Sequence, residues 1–191
     1  MKTIVVVGAG ALGSHVTMFL RNVDATIRVV DFDRVEQRNV MSQFHGKPSV
    51  GKNKVQSLKQ AMDFLFGRKI EIVSNKLVEN NAKEILGGAD LVIDCLDNGD
   101  GRRVIQAFVR KNDIPCLHGG LAANGAFGVS LWDEDFVIDD ASGTAKTCED
   151  GEHLPFIATV STYIASSAQK FLLTGRKMGF NVHPTGVMKI S

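Results

Sequence analysis

The residues best placed to do chemistry lie in three short runs. The first is Gly8-Ala9-Gly10-Ala11-Leu12-Gly13, glycines at the spacing of a nucleotide-binding loop. Gly8 permits a tight turn, Gly10 lets a ligand approach the backbone, and Gly13 lets helix and strand pack closely. A helix starting there offers unpaired amides to a phosphate or ribose. The second run, Val29 to Gln43, holds Asp31, Asp33, Asn39 and Gln43. Asp31 stands about 20 residues beyond the loop, where a carboxylate accepts from a ribose 2′-OH. The same charge repels a 2′-phosphate, which favours adenosine or NAD over NADP. The third run is Asp97-Asn98, and Lys54 lies between the second and third. Each has a plainer reading. The glycines can simply shape a turn, a lysine opening a helix is normally solvated, and Asp97-Asn98 can cap the helix that follows. Arg102 reads as a structural helix residue.

These residues need a scaffold, and the chain supplies short β-branched runs alternating with helical patterns. That is the pattern of an α/β, Rossmann-like fold, a mostly parallel sheet with helices on both faces. Strands are expected at Thr3 to Val7, Ala25 to Val30, Lys69 to Val73, Asp90 to Cys95 and Ile114 to Leu117. Helices are expected at Ala11 to Arg21, Gly51 to Phe64, Glu79 to Leu86 and Arg102 to Lys111. After Gly120 the alternation stops. Ala126 to Trp132 and Phe136 to Ile138 read as a β-hairpin around Asp133-Glu134. Residues 139–155 are rich in acids and turn formers and read as a mobile loop. Phe156 to Leu173 is apolar or small almost all round, a helix buried on more than one side, in the core or against a second subunit. Asn181 to Ile190 reads as a strand pair, an antiparallel extension at the C-terminal end of the sheet.

Composition narrows the class. A chain of 191 residues is expected to form one domain, 1–191. The net charge of +1 gives no general attraction to nucleic acid or membrane, and no apolar run reaches spanning length. The first strand begins at Lys2, which leaves no room for a signal peptide, so a cytoplasmic location is expected. Cys95, Cys116 and Cys148 include no Cys-x-x-Cys pair, so neither a disulfide framework nor zinc is expected. Cys95 and Cys116 fall in buried strand contexts. His118 ends the fifth strand, where either a site role or a structural one fits; His15, His45, His153 and His183 read as surface or turn residues.

Taken together, the motifs resemble the ThiF/MoeB/HesA family, the ubiquitin-activating-enzyme-like adenylyltransferases. The family pattern Asp-x-Asp-x-Val-x-x-x-Asn-x-x-Arg-Gln is matched by Asp31, Asp33, Val35, Asn39 and Gln43. Gly-x-x-Lys-Val appears as Gly51-Lys52-Asn53-Lys54-Val55, and Asp-x-x-Asp-Asn-x-x-x-Arg as Asp94, Asp97, Asn98 and Arg102. The three motifs keep family order and spacing across residues 4 to 120. The resemblance implies ATP and Mg²⁺ as cofactors and adenylation of the C-terminal carboxylate of a small ubiquitin-like or sulfur-carrier protein, or of a peptide. It further implies a homodimer, while the balanced charge leads to no expected nucleic-acid or membrane partner.

The chemistry explains the residue types. A free carboxylate becomes electrophilic once its oxygen attacks the α-phosphate of ATP and pyrophosphate departs. Both partners are anionic, so the site must hold them together and neutralise charge. By resemblance Asp31 takes the ribose, Asn39 and Lys54 take the phosphates, and Asp97 holds Mg²⁺. Gly8, Gly10, Gly13, Asp33, Gln43 and Asn98 complete the nucleotide-binding set. Cys148 lies near where some family members place a thioester- or persulfide-forming cysteine, although Glu149 and Asp150 disfavour its thiolate.

The sequence departs from the pattern at two places. Ser42 occupies the position of the family arginine, and Arg38 or Arg34 is the expected substitute for that charge. Family members also carry an N-terminal helix whose arginine completes the partner's site; here that charge is expected from another chain or residue, or the enzyme does without it. Two alternatives stay open. An NAD-dependent oxidoreductase explains the glycines and Asp31 but not Asn39, Lys54 and Asp97 together. A catalytically weak partner subunit of an adenylating heterodimer accommodates Ser42.

Overall fold

The computed structural model describes residues 1–122, 125–138 and 153–190. Their centre is an eight-stranded sheet in the order β3-β2-β1-β4-β5-β6-β7-β8. The strands are β1 (Lys2–Val7), β2 (Ala25–Val30), β3 (Glu71–Val73), β4 (Leu91–Asp94), β5 (Cys116–Leu121), β6 (Gly128–Trp132), β7 (Gly179–His183) and β8 (Gly186–Ile190). The first five run parallel, and β6, β7 and β8 add antiparallel to the β5 edge. The expected mostly parallel sheet with an antiparallel C-terminal extension is what forms.

Helices cover both faces, and the β1 sequence shows why. Ile4 and Val6 point into one core with residues of α1 (Ala11–Phe19), α2 (Lys54–Phe66) and α5 (Leu154–Thr174). Val5 and Val7 point into the other, against α3 (Glu79–Leu86) and α4 (Gly99–Lys111). A strand apolar at every position needs both faces covered, which is the condition of a central parallel strand. Helix α5 buries Ile157, Val160, Ile164, Ala165 and Ala168 at helical spacing and packs on α1, β5, β6 and β7. Its core-directed burial is thus satisfied within the chain, while Thr159, Thr162 and Ser166 stay exposed.

The expected hairpin around Asp133-Glu134 does not form. The partner of β6 is β5, with Leu117 opposite Trp132 and Leu121 opposite Gly128. Phe136 to Ile138 is not a strand, because Phe136 stacks on the His118 ring with centroids 4.3 Å apart. The fifth strand also starts later and runs longer than expected. Pro115 lacks an N–H to donate, and Gly119 and Gly120 continue the strand by pairing with Ser130 and Val129. Helices α2 and α4 are each capped one residue ahead, by Asn53 and Asn98.

The order of strands reverses between β1 and β4, so the crevice outside their C-terminal ends is the topological switch point where such sheets bind ligands. The glycine loop leaves β1 and the Asp94–Asn98 segment leaves β4 at that point. The motifs are therefore spatial neighbours by topology.

Candidate active site

Gly8 takes φ +97°, and a Cβ there would stand 2.8 Å from the Cys95 carbonyl oxygen. A Cβ on Gly13 would come 1.8 Å from the Gly8 carbonyl oxygen, so both glycines are required by the protein's own packing. Gly10 differs. Its φ is −80°, and a Cβ there would meet nothing within 4 Å. Neither conformation nor internal packing demands a glycine at position 10; open space on its outer side fits a ligand that approaches the backbone.

Asp31 leaves the end of β2 and brackets this loop. Its Oδ2 accepts the Ala9 N–H at 2.6 Å and its Oδ1 the Asp33 N–H at 2.8 Å. Burial raises the Asp31 carboxyl above the usual range, against the lowering pull of Lys54 and these two amides. Beyond it the chain folds back antiparallel. Lys54 N–H donates to the Asp33 carbonyl and Val35 N–H to the Lys52 carbonyl, both at 2.8 Å. That pairing fixes Lys54 at the start of α2, with Nζ 3.3 Å from Asp33 Oδ2. The Lys54 side chain is only 11% exposed, so the solvated-surface reading fails for it.

Asn39 lies in a short 3₁₀ turn, 5% exposed. Its Oδ1 accepts the Glu36 N–H at 2.9 Å, a capping-box contact that leaves the side-chain NH₂ as the end able to donate outward. Arg38, expected to replace the missing family charge, is held in a two-pronged ion pair by Glu36, at 2.8 and 3.1 Å. Arg34 donates to the Gly51 carbonyl at 2.7 Å. Ser42 is fully buried, and among the described residues neither its Oγ nor the Gln43 Oε1 has a hydrogen-bond partner.

The β4 end supplies the opposite wall. Asp97 is exposed, and among the described residues nothing engages its carboxylate. Asn98 spends its Oδ1 on the α4 cap, accepting the Gly101 N–H at 2.9 Å, so the capping reading holds for it. Arg102 is structural as expected. It pairs with the fully buried Asp94 at 3.0 Å, donates to the Gly119 carbonyl at 2.8 Å, and donates to the Leu96 carbonyl. Asp94 Oδ1 also accepts the Leu96 N–H at 2.9 Å. The loop carrying Asp97 is thereby clamped from both sides.

His118 belongs to that clamp. Fully buried, it places Nδ1 2.7 Å from Asp94 Oδ2 and Nε2 3.0 Å from Asp133 Oδ1. Cys116 Sγ lies 3.5 Å from the same Nε2. The set looks like a Cys–His–Asp triad, but Asp133 already occupies the nitrogen a thiol would need. Burial, then the charges of Asp94 and Asp133, push the Cys116 thiol far up. Cys95 is likewise raised by burial and by Asp94. Both are inert core residues, as expected. Asp133 is tuned the other way. Burial would raise it, but hydrogen bonds from Arg110, His118 and Gln106 prevail and hold it below the usual carboxylate range.

The reading of His15 and His45 as surface or turn residues is corrected. They are 7% and 4% exposed. His45 places Nε2 2.8 Å from the Ala9 carbonyl and Nδ1 3.2 Å from Ser57 Oγ. These partners stand 36 and 12 residues away, which leaves no local signal in the sequence. Cys148 lies outside the described residues. Among the described residues no cluster of His, Cys, Asp and Glu could hold a metal ion by itself, and no helix is long and apolar enough to cross a membrane.

A model of the ThiF family matches residues 1–185. The chain belongs to the ThiF family. Among its relatives, the adenylyltransferase and sulfurtransferase UBA4 of Meyerozyma guilliermondii is 33% identical over 186 residues, covering 91% of this chain and 43% of that protein. The molybdopterin-synthase adenylyltransferase of Salmonella typhimurium is 28% identical over 179 residues, covering 88% of this chain and 72% of that one. This ThiF-family chain thus spans less than half the length of UBA4. Of solved structures, E. coli MccB with ATP superposes with a TM-score of 0.77 at 15% identity, over 100% of this chain and 63% of that one. At that identity the likeness is one of fold.

Proposed function

We propose that this ThiF-family chain adenylates the C-terminal carboxylate of a small ubiquitin-like or sulfur-carrier protein, or of a peptide, acting in the cytoplasm as a homodimer. The observation that carries this reading is Lys54. Its ammonium is nearly buried at the start of α2, 3.3 Å from Asp33, two residues on from the Asp31 carboxylate that brackets the glycine loop. A site that joins two anions needs such a cation to offset their charge. The names of UBA4 and the Salmonella relative, both adenylyltransferases, point the same way.

In this reading the Ala9–Gly10 backbone and the α1 N-terminus face the nucleotide, and Asp31 offers its remaining lone pairs to the ribose hydroxyls. Lys54 and the Asn39 amide meet the phosphates, on the side where the substrate carboxylate must approach. The carboxylate oxygen forms the new bond to the α-phosphorus, and the bond to the bridging oxygen breaks. Pyrophosphate leaves with that electron pair, and an acyl adenylate remains. Lys54 holds the two anions in line and offsets the charge that builds on the phosphoryl oxygens. Asp97 fits a magnesium ligand, since Mg²⁺ takes one or two carboxylates and fills its shell with phosphate oxygens and water. When bound, that ion would supply charge neutralisation at the phosphates.

Calorimetry with ATP and with NAD tests the first step, and preference for NAD overturns the reading. ATP–pyrophosphate exchange across a panel of carrier proteins tests the second. A second reading rests on Ser42. The buried hydroxyl replaces a cation while Glu36 holds Arg38, which suits a subunit that binds nucleotide and leaves chemistry to a partner. ATP binding without exchange against any carrier would favour it. Sedimentation of the purified chain tests the homodimer.

A further inference from the structure

The segment between β2 and α2 carries a histidine that contacts both the glycine loop and the helix that bears Lys54. His45 Nε2 lies 2.8 Å from the Ala9 carbonyl of the glycine loop. Its Nδ1 lies 3.2 Å from Ser57 Oγ. Ser57 is 2% exposed and sits three residues after Lys54, on the same face of α2. The Ala9 carbonyl can only accept, so Nε2 carries the proton and donates. The ring is neutral, so Nδ1 accepts from the Ser57 hydroxyl. Its neutrality has a clear source. Burial lowers the imidazole to about 4, with the charges of Lys54 and His15 adding to the effect against the raising contact to Ala9.

The Ala9 residue is gripped at both ends. Asp31 takes its N–H at 2.6 Å and His45 its carbonyl. The segment around His45 is also fixed to α1, where Ser14 Oγ accepts the Phe44 N–H at 2.9 Å. We infer that His45 is a positioning residue, a bolt that sets the distance between the Gly10 backbone and the Lys54 ammonium. The inference rests on the nucleotide reading of the crevice for its consequence, but its geometry stands without a ligand. A neutral ring suits the task, because an imidazolium would set a second cation behind Lys54.

Two substitutions separate the halves of the bolt. Glutamine carries its amide to where Nε2 stands and keeps the bond to Ala9. Asparagine reaches only to where Nδ1 stands and keeps the bond to Ser57. His45→Asn is expected to weaken ATP binding roughly tenfold by calorimetry, the equivalent of one lost hydrogen bond. His45→Gln is expected to recover affinity to within about threefold of the parent protein. Hydrogen exchange at the Ala9 and Gly10 amides should speed up in His45→Asn and not in His45→Gln. Equal behaviour of the two variants, whether wild-type or impaired, overturns the inference. In the parent protein, nitrogen-15 NMR should find His45 as the neutral Nε2–H tautomer at pH 7; the other tautomer or the imidazolium overturns it, whether or not the asparagine variant folds. Failure of the parent protein to bind ATP would sink the proposed function instead, and the tautomer and exchange measurements would still decide on the bolt.

Discussion

Asp31 accepts the Ala9 N–H at 2.6 Å, and this one contact ties the end of β2 to the loop that leaves β1. The carboxylate offered by the sequence as a ribose ligand is also the bracket of the glycine loop. With its second oxygen on the Asp33 N–H, each oxygen has one lone pair left for a ligand. Asp31→Asn sets an NH₂ against a backbone donor at one of these places. The expected cost is about 1–3 kcal/mol of stability, because a buried donor is left unpaired. ATP affinity should fall at least about tenfold in the same variant, by loss of a charge-assisted acceptor. Urea unfolding and calorimetry check the two halves separately. A variant that is stable but unable to bind would confine Asp31 to the ligand.

Acid should weaken the fold through His45. Its native value of about 4 lies below the ordinary 6.5, so the unfolded chain binds the proton more readily. Stability is then complete above pH 6.5 and declines as pH falls toward 4. The full effect is on the order of 3 kcal/mol, at roughly 1.4 kcal/mol per unit. Asp133 adds a separate acid loss. Its native carboxyl is held below the ordinary value, so its contribution fades as pH falls through that lowered value. Comparing urea midpoints of the parent and His45→Gln at pH 7, 5.5 and 4.5 isolates the histidine. Parallel curves would show that His45 does not carry the loss.

What could be read ahead of the structure followed from periodicity and from residues close in the chain. The glycine loop, Asp31, Lys54 and Asp97 each sit at a strand or helix end, and ends are what alternation of pattern marks. The parallel sheet then had to bring them to one crevice. Contacts made across the chain could not be read this way. His45 reaches Ala9 over 36 residues, and His118 joins Asp94 to Asp133 through partners 24 and 15 residues off. The misplaced hairpin has the same origin. Phe136 looked like a strand residue because it is apolar, but its partner is the His118 ring and not a ladder.

The clamp under the Asp97 loop makes Arg102 costly to remove. Arg102 neutralises Asp94, which is fully buried, and its planar fork also serves the Leu96 and Gly119 carbonyls. Arg102→Met leaves a buried carboxylate with only His118 and the Leu96 N–H beside it, and a loss of about 3–5 kcal/mol is expected. Arg102→Lys restores the charge but not the fork, so about 1–3 kcal/mol should remain lost through unpaired carbonyls. Chemical denaturation of both variants measures this. A methionine variant within about 1 kcal/mol of the parent would mean the cluster is not a structural clamp.

Lys54 and Arg38 compete for the role of the phosphate cation, and substitution distinguishes them. Lys54→Met keeps the stem that fills the space at the start of α2 and removes the charge. Its pair with the half-exposed Asp33 contributes only about 0–1 kcal/mol, so the fold should survive. Pyrophosphate exchange should nevertheless fall about 100-fold or more, the usual consequence of removing a group that meets charge developing in the transition state. Arg38 starts from a different place, on the exposed 3₁₀ turn and engaged by both Glu36 oxygens. It must leave that pair to reach a phosphate, so Arg38→Ala is expected to lower exchange less than Lys54→Met, and Glu36→Gln to raise it by releasing the guanidinium. A larger loss from Arg38→Ala would move the reacting phosphate away from α2 and toward the turn that holds Asn39. Ser42 would then mark a displaced arginine and not a missing one.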